Sequence, residues 1–276
     1  MGLGGYLTWT AVAREIHQVA GTKVFPFEMH GQFIKPVKTE IFNNNPYIQQ
    51  EFDNTIGAPM QLNNPTTNYC KQDTPERAVH RYDRHIIEQI CEFYGIQNPK
   101  LKCELYFSDE ELAKSEKLLS GLGEFIAIEP QSNDEYTVNK KYPLSKWQNV
   151  ADKLISDGHK LVQIGRKTET QLLEGVTNLT GTTSFREAAL VIKQSKLFVS
   201  SEGGLMHAAN AVGTRSTILY TGFIHPKMTC YPENTNIWIG EKHGPCGMKT
   251  LCLHCKNESE NHDENEIVES VRSMLK

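Results

Sequence analysis

Residues 196–209 read Lys-Leu-Phe-Val-Ser-Ser-Glu-Gly-Gly-Leu-Met-His-Ala-Ala. The apolar start of this stretch predicts a buried parallel strand, and the small residues of 205–212 predict a helix. Two glycines between a strand and a helix let a ligand approach the backbone, and the free N–H groups of the first helical turn favour an anion such as phosphate. A tight strand–helix turn with a capped histidine has the same sequence, so the rest of the chain must decide between the two interpretations.

The surrounding sequence alternates strand and helix patterns at the spacing of βα units. Strands are predicted at 125–129, 160–164, 178–180, 196–199 and 216–220, and helices at 144–154 and after the N-cap Ser184. Repeated units of this length predict a parallel sheet with helices on both faces. Ligands of such sheets bind outside the carboxyl ends of the strands, which is where Gly203 and Gly204 lie.

The front half is less regular. We expect a helix at 6–19, a strand at 23–28, mostly irregular chain at 32–73, a helix at 79–93 and a further helix of 109–119 capped by Ser108. A domain boundary is expected near 121–123, dividing the chain into domains 1–121 and 122–276. The final helix, 263–276, could pack back onto the first domain.

Composition excludes several classes of protein. The 276 residues carry a formal charge of −4, and no Lys/Arg run stands out, so nucleic acid is a poor candidate partner. No apolar stretch is long enough for a membrane span, and no signal peptide is visible. We therefore expect a cytoplasmic protein with at most peripheral contact at the inner face of the cytoplasmic membrane, through a local basic patch.

Three segments together resemble glycosyltransferase family nine, the bacterial heptosyltransferases. Residues 201–209, followed by the strand 216–220 and a Gly222 loop with prolines, resemble the donor motif Asp-Ser-Gly-x-x-His-x-Ala-Ala of that family. Residues 139–147 are similar to its Lys-x-Trp-Pro-x-x-x-Trp segment, and residues 2–7 to its Gly-Asp turn. The resemblance is strong over 125–232 and loose before residue 76.

The resemblance implies a GT-B fold, an α/β architecture of two Rossmann-like domains. Only Met1 precedes the glycine turn where the family has a strand, so we expect either that the start is incomplete or that the N-terminal domain is reduced or irregular. The implied activity is transfer of a sugar, heptose among the candidates, from a nucleotide diphosphate sugar to a saccharide or protein acceptor. Transfer is expected to invert the anomeric centre, and no cofactor or Asp-x-Asp metal is expected to be required for it.

The resemblance also assigns donor-binding residues. Lys140 matches the lysine that contacts phosphate, although a solvated loop lysine is the plain alternative. Arg166, at another strand end, could face the nucleotide. Glu202 stands directly before the glycines, where a carboxylate would bind a sugar or ribose hydroxyl rather than phosphate. The remaining predicted donor-binding residues are Gly203, Gly204, Leu205, Met206 and His207.

The catalytic base is not identified by the sequence. In the family, the aspartate of the Gly-Asp turn is the proposed base that deprotonates the acceptor. That position is Gly5 here, and glycine cannot accept a proton. Glu28 and His30 are weak candidates because they lie close to a predicted strand end. The loss of that aspartate favours one alternative, a nucleotide-sugar-binding protein with impaired catalysis. A sugar-nucleotide epimerase on the same fold is the other, and it would need acids and histidines around the sugar.

Four of the seven cysteines cluster near the end of the chain, namely Cys230, Cys246, Cys252 and Cys255. Their spacing, Cys-x15-Cys-x5-Cys-x2-Cys, includes one Cys-x-x-Cys pair and suits a tetrahedral thiolate site for structural zinc or iron. Some protein-modifying heptosyltransferases carry a cysteine-bound iron in this region. Reduced cysteines that pack a loop are the alternative.

Overall fold

The computed structural model describes residues 2–51, 57–68, 70–80, 83–130, 136–168 and 170–276. Helices in this part of the chain are α1 Leu3–Ala20, α2 Ile86–Phe93, α3 Asp109–Leu118, α4 Leu144–Ser156, α5 Phe185–Gln194, α6 Gly204–Val212, α7 Leu253–Asn261 and α8 Asn265–Leu275. The strands are β1 Val24–His30, β2 Phe33–Pro36, β3 Ala58–Gln61, β4 Cys70–Thr74, β5 Arg77–His80, β6 Ile126–Glu129, β7 Leu161–Gln163, β8 Thr177–Asn178, β9 Phe198–Ser201, β10 Ser216–Tyr220 and β11 Thr235–Trp238.

A six-stranded parallel sheet organises the second half of the protein. Its strand order is β11-β10-β9-β6-β7-β8, and every neighbouring pair is parallel. The chain builds outward from β6 to β8, then returns to the other side of β6 and builds outward again from β9. The order therefore reverses between β6 and β9, and this switch point is where open α/β sheets bind ligands.

Alternating side chains of the central strands explain why helices cover both faces of this sheet. Ile126 and Ile128 point to the face that packs on α4 and α8, whereas Ala127 points to the face covered by α5 and α6. All three side chains are fully buried. The predicted parallel sheet with helices on both faces is confirmed.

The front part contains α1, a small sheet of order β2-β1-β3 and the hairpin β4–β5. The described part of 32–73 is mostly irregular, as expected, but β2, β3 and the start of β4 also fall in this segment. Strand β3 pairs in parallel with β1, so that Val24 faces Ala58. Such a long-range pairing leaves no local pattern in the sequence.

The helix predicted at 79–93 begins seven residues later than expected. Val79 lies in β5, and residues 81 and 82 fall outside the described chain. His85 ends the extended segment, because its side chain accepts a hydrogen bond from the N–H of Ile87 while Glu88 caps the N–H of His85. This capping box sets the start of α2 at Ile86.

Helix α1 packs directly on α6, so the front part and the parallel sheet share a hydrophobic core. A Cβ atom on Gly4 would lie 2.9 Å from the Cα of Gly204, so the two helix starts touch backbone to backbone. Arg186 on α5 strengthens the same junction by binding Glu111 on α3 and the carbonyl of Tyr106. The division into domains at residue 121 stays a prediction.

The sequence suggested that the final helix packs back onto the first domain, but α8 packs on the parallel sheet instead. Its apolar residues Ile267, Val268 and Val271 are buried against α4, β10 and β11 of the parallel sheet. The helix is held there because its apolar stripe completes the cover of that sheet face. Among the described residues, no helix is long and apolar enough to cross a membrane.

Candidate active site

The glycine turn lies at the switch point of the sheet. Strand β9 ends at Ser201, Glu202 follows, Gly203 is the N-cap residue, and α6 starts at Gly204. Gly203 has no side chain to cap the helix, so the N–H groups of the first turn of α6 remain available to an anion.

The two glycines of this turn serve different purposes. A Cβ on Gly203 would have only the carbonyl of Ser201 near it, at 3.9 Å, so the space in front of this residue is open. Gly204 faces Gly4 and the ring of Phe185. Gly204 therefore permits the close packing of α1 on α6, whereas Gly203 is the residue at which a ligand has room to approach.

Lys140 and Glu202 form an ion pair across the switch point. Lys140 ends the short 3-10 helix Val138–Lys140 in the segment that follows β6, and Glu202 follows β9. Their side chains are 18% and 8% exposed, so both charges are largely removed from water. The Nζ of Lys140 also lies 5.3 Å from the centre of the Phe223 ring, a cation–π contact. The sequence predicted that Lys140 and Glu202 bind different parts of the donor, and in the structure the two side chains pair with each other.

His207 lies one helical turn inside α6 and is buried. Its Nδ1 is 2.6 Å from the hydroxyl of Tyr231, which is in turn 3.1 Å from the Sγ of Cys103. Burial, together with the nearby charge of Lys140, lowers the pKa of His207 to about 3. Burial and His207 likewise lower the pKa of His85, whose ring centre is 5.3 Å from that of Tyr231, to about 3. Both imidazoles are therefore neutral at physiological pH.

Glu129 is a feature of the site that the sequence reading missed. It is the last residue of β6, in register with Ser200 of β9. Burial raises the pKa of its carboxyl to about 8. The available signal was a carboxylate at the end of an otherwise apolar strand. Tyr231 was also missed, although it stands between Cys230 and Pro232 in the loop after β10.

The candidate catalytic bases lie in the small front sheet. Glu28 and His30 belong to β1, and His30 Nε2 is 3.3 Å from Glu28 Oε2 in a pair whose histidine is mostly exposed. Gly5 lies inside α1 rather than in a turn. Arg166 is an exposed residue in the loop after β7. The predicted roles of Glu28, His30 and Arg166 remain predictions.

Three of the four clustered cysteines converge. The sulfurs of Cys246, Cys252 and Cys255 all lie within 4.8 Å of one another, and those of Cys246 and Cys255 are 3.3 Å apart. Bonds of about 2.3 Å in a tetrahedral zinc site would set the sulfurs roughly 3.8 Å apart. The chemistry and the spacing of the three thiols therefore fit zinc or iron.

Cys230 lies outside this group of three, and its predicted role as a fourth ligand stays a prediction. It follows the 3-10 helix Pro226–Met228 and packs against the hydrophobic core shared by α1 and α6.

A cavity of about 440 Å³ opens beside the cysteines rather than at the glycine turn. Its lining includes Tyr142 and Asn139 from the segment between β6 and α4, Gln171 from the segment after β7, and Cys255 and Ser259 from α7. The cavity therefore lies next to the Lys140 segment, on the side facing α7.

These features define an α/β protein with a GT-B-like ligand site at the switch point of its parallel sheet. A model of glycosyltransferase family 9 (heptosyltransferase) matches residues 55–265. The chain belongs to this glycosyltransferase family. No curated protein sequence matches the chain.

Solved structures support the fold. The dodecameric iron-containing glycosyltransferase TibC from enterotoxigenic E. coli H10407 has a TM-score of 0.70 and 14% identity, with 100% of this chain and 75% of TibC covered. A family 9 glycosyl transferase from Veillonella parvula DSM 2008 has a TM-score of 0.69 and 13% identity, with 100% of this chain and 94% of that protein covered. E. coli ADP-heptose lps heptosyltransferase II has a TM-score of 0.54 and 19% identity over 70% of this chain, which spans 62% of that enzyme.

Proposed function

We propose that this protein transfers a sugar, with heptose as the leading candidate, from a nucleotide diphosphate sugar to a saccharide or protein acceptor. The observation that carries the proposal is the Lys140–Glu202 pair beside the open Gly203 turn, at the switch point of a family 9 sheet. TibC, a structural neighbour of this chain, has been solved in complex with ADP-D-beta-D-heptose. A nucleotide diphosphate sugar is therefore the first donor to test.

The site residues divide the chemistry of transfer among themselves. The departing diphosphate gains negative charge as the glycosidic bond breaks, and Lys140 with the N–H groups of α6 would stabilise that charge. With the Tyr231 hydroxyl donating to Nδ1, neutral His207 would act as a hydrogen-bond donor through Nε2. Glu202, once released from Lys140, would accept hydrogen bonds from hydroxyl groups of the sugar or ribose.

The acceptor hydroxyl needs a base, and we propose Glu129, which ends β6 in register with Ser200 of β9. Burial raises the pKa of Glu129 to about 8, so only the deprotonated minority of this carboxyl accepts a proton at neutral pH. Direct displacement with one such base inverts the anomeric centre and needs no covalent intermediate on the enzyme. None of these steps requires a metal at the phosphates.

The three converging cysteines are proposed to hold structural zinc or iron. Such a metal would fix the loop that carries Cys246 relative to α7, because structural metal binding is coupled to folding. The backbone N–H of Cys246 donates to the carbonyl of Gly222, and Phe223 contacts Lys140. The metal would therefore help to fix Gly222 and Phe223, and through Phe223 the position of Lys140.

One alternative keeps a specific observation in its favour. Gly5 stands where the family has its proposed catalytic aspartate, so this chain has no carboxylate there. It lies inside α1, whose start packs against the start of α6. A protein that binds the donor without transferring sugar would have this arrangement.

Incubation with nucleotide diphosphate sugars and candidate acceptors distinguishes the possibilities. Release of nucleoside diphosphate with a sugar-modified acceptor supports the transferase. A changed sugar without release of nucleotide indicates an epimerase, and tight binding without turnover indicates a binding protein. Loss of nucleotide binding in Lys140→Ala would place whichever activity is found at this site.

A further inference from the structure

Glu258 carries a buried carboxylate without a partner. Both of its carboxylate oxygens are shielded from solvent, and neither accepts a hydrogen bond within the described chain. No ion pair of the described residues includes it either. An unpaired buried carboxylate is costly, and proteins retain such groups where they are paired or coordinate a metal.

The carboxylate lies beside the converging cysteines. Cys252 is the N-cap of α7, Cys255 lies in its first turn, and Glu258 follows one turn later on the same helix. Residues three apart are neighbours on a helix surface, so Glu258 and Cys255 share one side of α7.

Gly222 shows that both groups aim at the same place. A Cβ atom on Gly222 would lie 2.9 Å from the Sγ of Cys255 and 3.0 Å from Oε2 of Glu258. The absence of a side chain at Gly222 therefore leaves the sulfur and the carboxylate oxygen side by side. The N–H of Cys246 is bound to the carbonyl of this same glycine, 2.8 Å away.

A tetrahedral metal needs four ligands, and the converging sulfurs provide three. Cys230, the fourth cysteine of the sequence cluster, is not among the sulfurs that lie within 4.8 Å of one another. Glu258 Oε2 lies beside Cys255 but outside this group of three, so ligation requires the Glu258 side chain to rotate towards the other two sulfurs.

We infer that Glu258 is the fourth ligand of a site for zinc or iron, formed by its carboxylate and the three thiolates of Cys246, Cys252 and Cys255. This inference rests on the proposed metal at the three cysteines. Thiolate and carboxylate ligands together suit zinc and iron, and the metal supplies the positive charge that the buried Glu258 lacks.

Metal binding to the full-length protein tests the inference with two matched pairs of variants. Zinc affinity is measured by competition with a chromophoric chelator on reduced, metal-free protein. Glu258→Gln is expected to weaken zinc binding by at least the roughly 10- to 100-fold that loss of an outer-shell partner costs. Glu260→Gln, on the exposed side of the same helix, and Cys230→Ser are expected to leave the affinity unchanged.

Cobalt substitution reports the ligand set directly. The visible spectrum of the cobalt-loaded wild type is expected to be that of three sulfurs and one oxygen, and the spectrum should change in Glu258→Gln but not in Cys230→Ser. Loss of affinity and a changed spectrum in Cys230→Ser, with both preserved in Glu258→Gln, would overturn the inference in favour of a four-cysteine site.

Thermal unfolding gives a readout that is independent of affinity. Because the unpaired carboxylate is costly without metal, Glu258→Gln should raise the melting temperature of metal-free protein and reduce the extra stabilisation by zinc. An equal zinc-induced rise in Glu258→Gln and wild type would contradict ligation by Glu258. A wild type that binds no zinc, iron or cobalt would overturn the metal site as a whole, while nucleotide binding would still report on the proposed transferase.

Discussion

The hydroxyl of Tyr231 lies 2.6 Å from Nδ1 of His207, in a buried contact between the loop after β10 and helix α6. We infer that the hydroxyl donates to Nδ1, which leaves the proton of neutral His207 on Nε2. We predict that Tyr231→Phe destabilises the fold by about 1–3 kcal/mol, because Nδ1 is left without a partner. Nucleotide diphosphate binding should weaken as the imidazole loses its fixed tautomer.

The ¹⁵N chemical shifts of the His207 imidazole measure the tautomer, and calorimetry measures the binding. Tyr142→Phe is the matched control, because the hydroxyl of Tyr142 lies 2.8 Å from Nδ1 of His262 at the junction of α4 and α8. It should lower stability without changing nucleotide affinity. Equal nucleotide affinities in wild type and Tyr231→Phe would refute a positioning role for Tyr231.

Lys140→Ala should weaken binding of a nucleoside diphosphate more than binding of the bare nucleoside. A charge-assisted hydrogen bond to phosphate contributes about 1.5–3 kcal/mol, which is roughly 10- to 150-fold in affinity. Isothermal titration with both ligands measures the difference. The same loss for both would mean that Lys140 does not contact the phosphates.

Lys146→Ala controls for the general cost of breaking a half-buried ion pair. Lys146 is also 18% exposed and pairs with Glu264 at 3.0 Å, away from the glycine turn. The double variant Lys140→Ala/Glu202→Gln completes a double-mutant cycle for the Lys140–Glu202 pair. Because Glu202 competes with phosphate for Lys140, Glu202→Gln by itself should bind nucleoside diphosphate more tightly than wild type.

Gly203→Val should abolish nucleotide diphosphate binding while the protein stays folded. Gly203 has extended backbone angles, and a Cβ atom added to it would have open space around it, so valine fits the fold. The valine side chain would, however, block a ligand from reaching the N–H groups of α6. Circular dichroism and nucleotide titration test both halves of this prediction. Gly4→Val should instead damage folding, because its side chain would collide with α6. A folded Gly203→Val protein with undiminished affinity would contradict the site.

Local patterns predicted five of the six strands of the parallel sheet and missed β11. Ser184, the predicted N-cap of α5, forms a capping box in this half, and Ser108 forms the predicted one at the start of α3 in the front part. Strand β3, by contrast, exists because it pairs with β1 more than thirty residues away. Val79 also repeats at helical spacing with Ile86, yet the cap at His85 places it in a hairpin.

The candidate site shows the same division. The sequence identified the glycine turn, Lys140, Glu202 and His207, because they follow a recognisable motif. It did not identify Tyr231, Glu129 or Glu258, whose relevance depends on burial and on contacts between distant segments. Cys230 shows the limit of spacing alone, since it belongs to the sequence cluster but lies outside the three converging sulfurs.

Arg186→Ala should destabilise the protein by about 3 kcal/mol, because it leaves the partly buried Glu111 and two backbone carbonyls without their donor. Urea unfolding at neutral pH measures the loss. Arg272→Ala removes a similar bidentate contact to Asp157 at the surface, and should cost much less, because water and salt screen exposed pairs. Comparable losses for the two arginines would show that Arg186 does not hold α3 and α5 together.

Acid should destabilise this protein through its two buried histidines. Burial lowers the pKa of His207, and of His85, from 6.5 to about 3 in the folded state, whereas the unfolded chain binds protons near pH 6.5. The unfolded state therefore holds more protons between these values, and the stability present above pH 6.5 is lost as the pH falls towards 3. Each histidine contributes a loss of about 1.4 kcal/mol per pH unit within this window.

Urea unfolding at pH 7.5, 6.5 and 5.5 tests this dependence. His207→Asn should lower stability at pH 7.5 but show a shallower decline towards pH 5.5 than wild type, by roughly one histidine's share. A His207→Asn protein that declines as steeply as wild type would mean that His207 is not held neutral by its burial beside Tyr231.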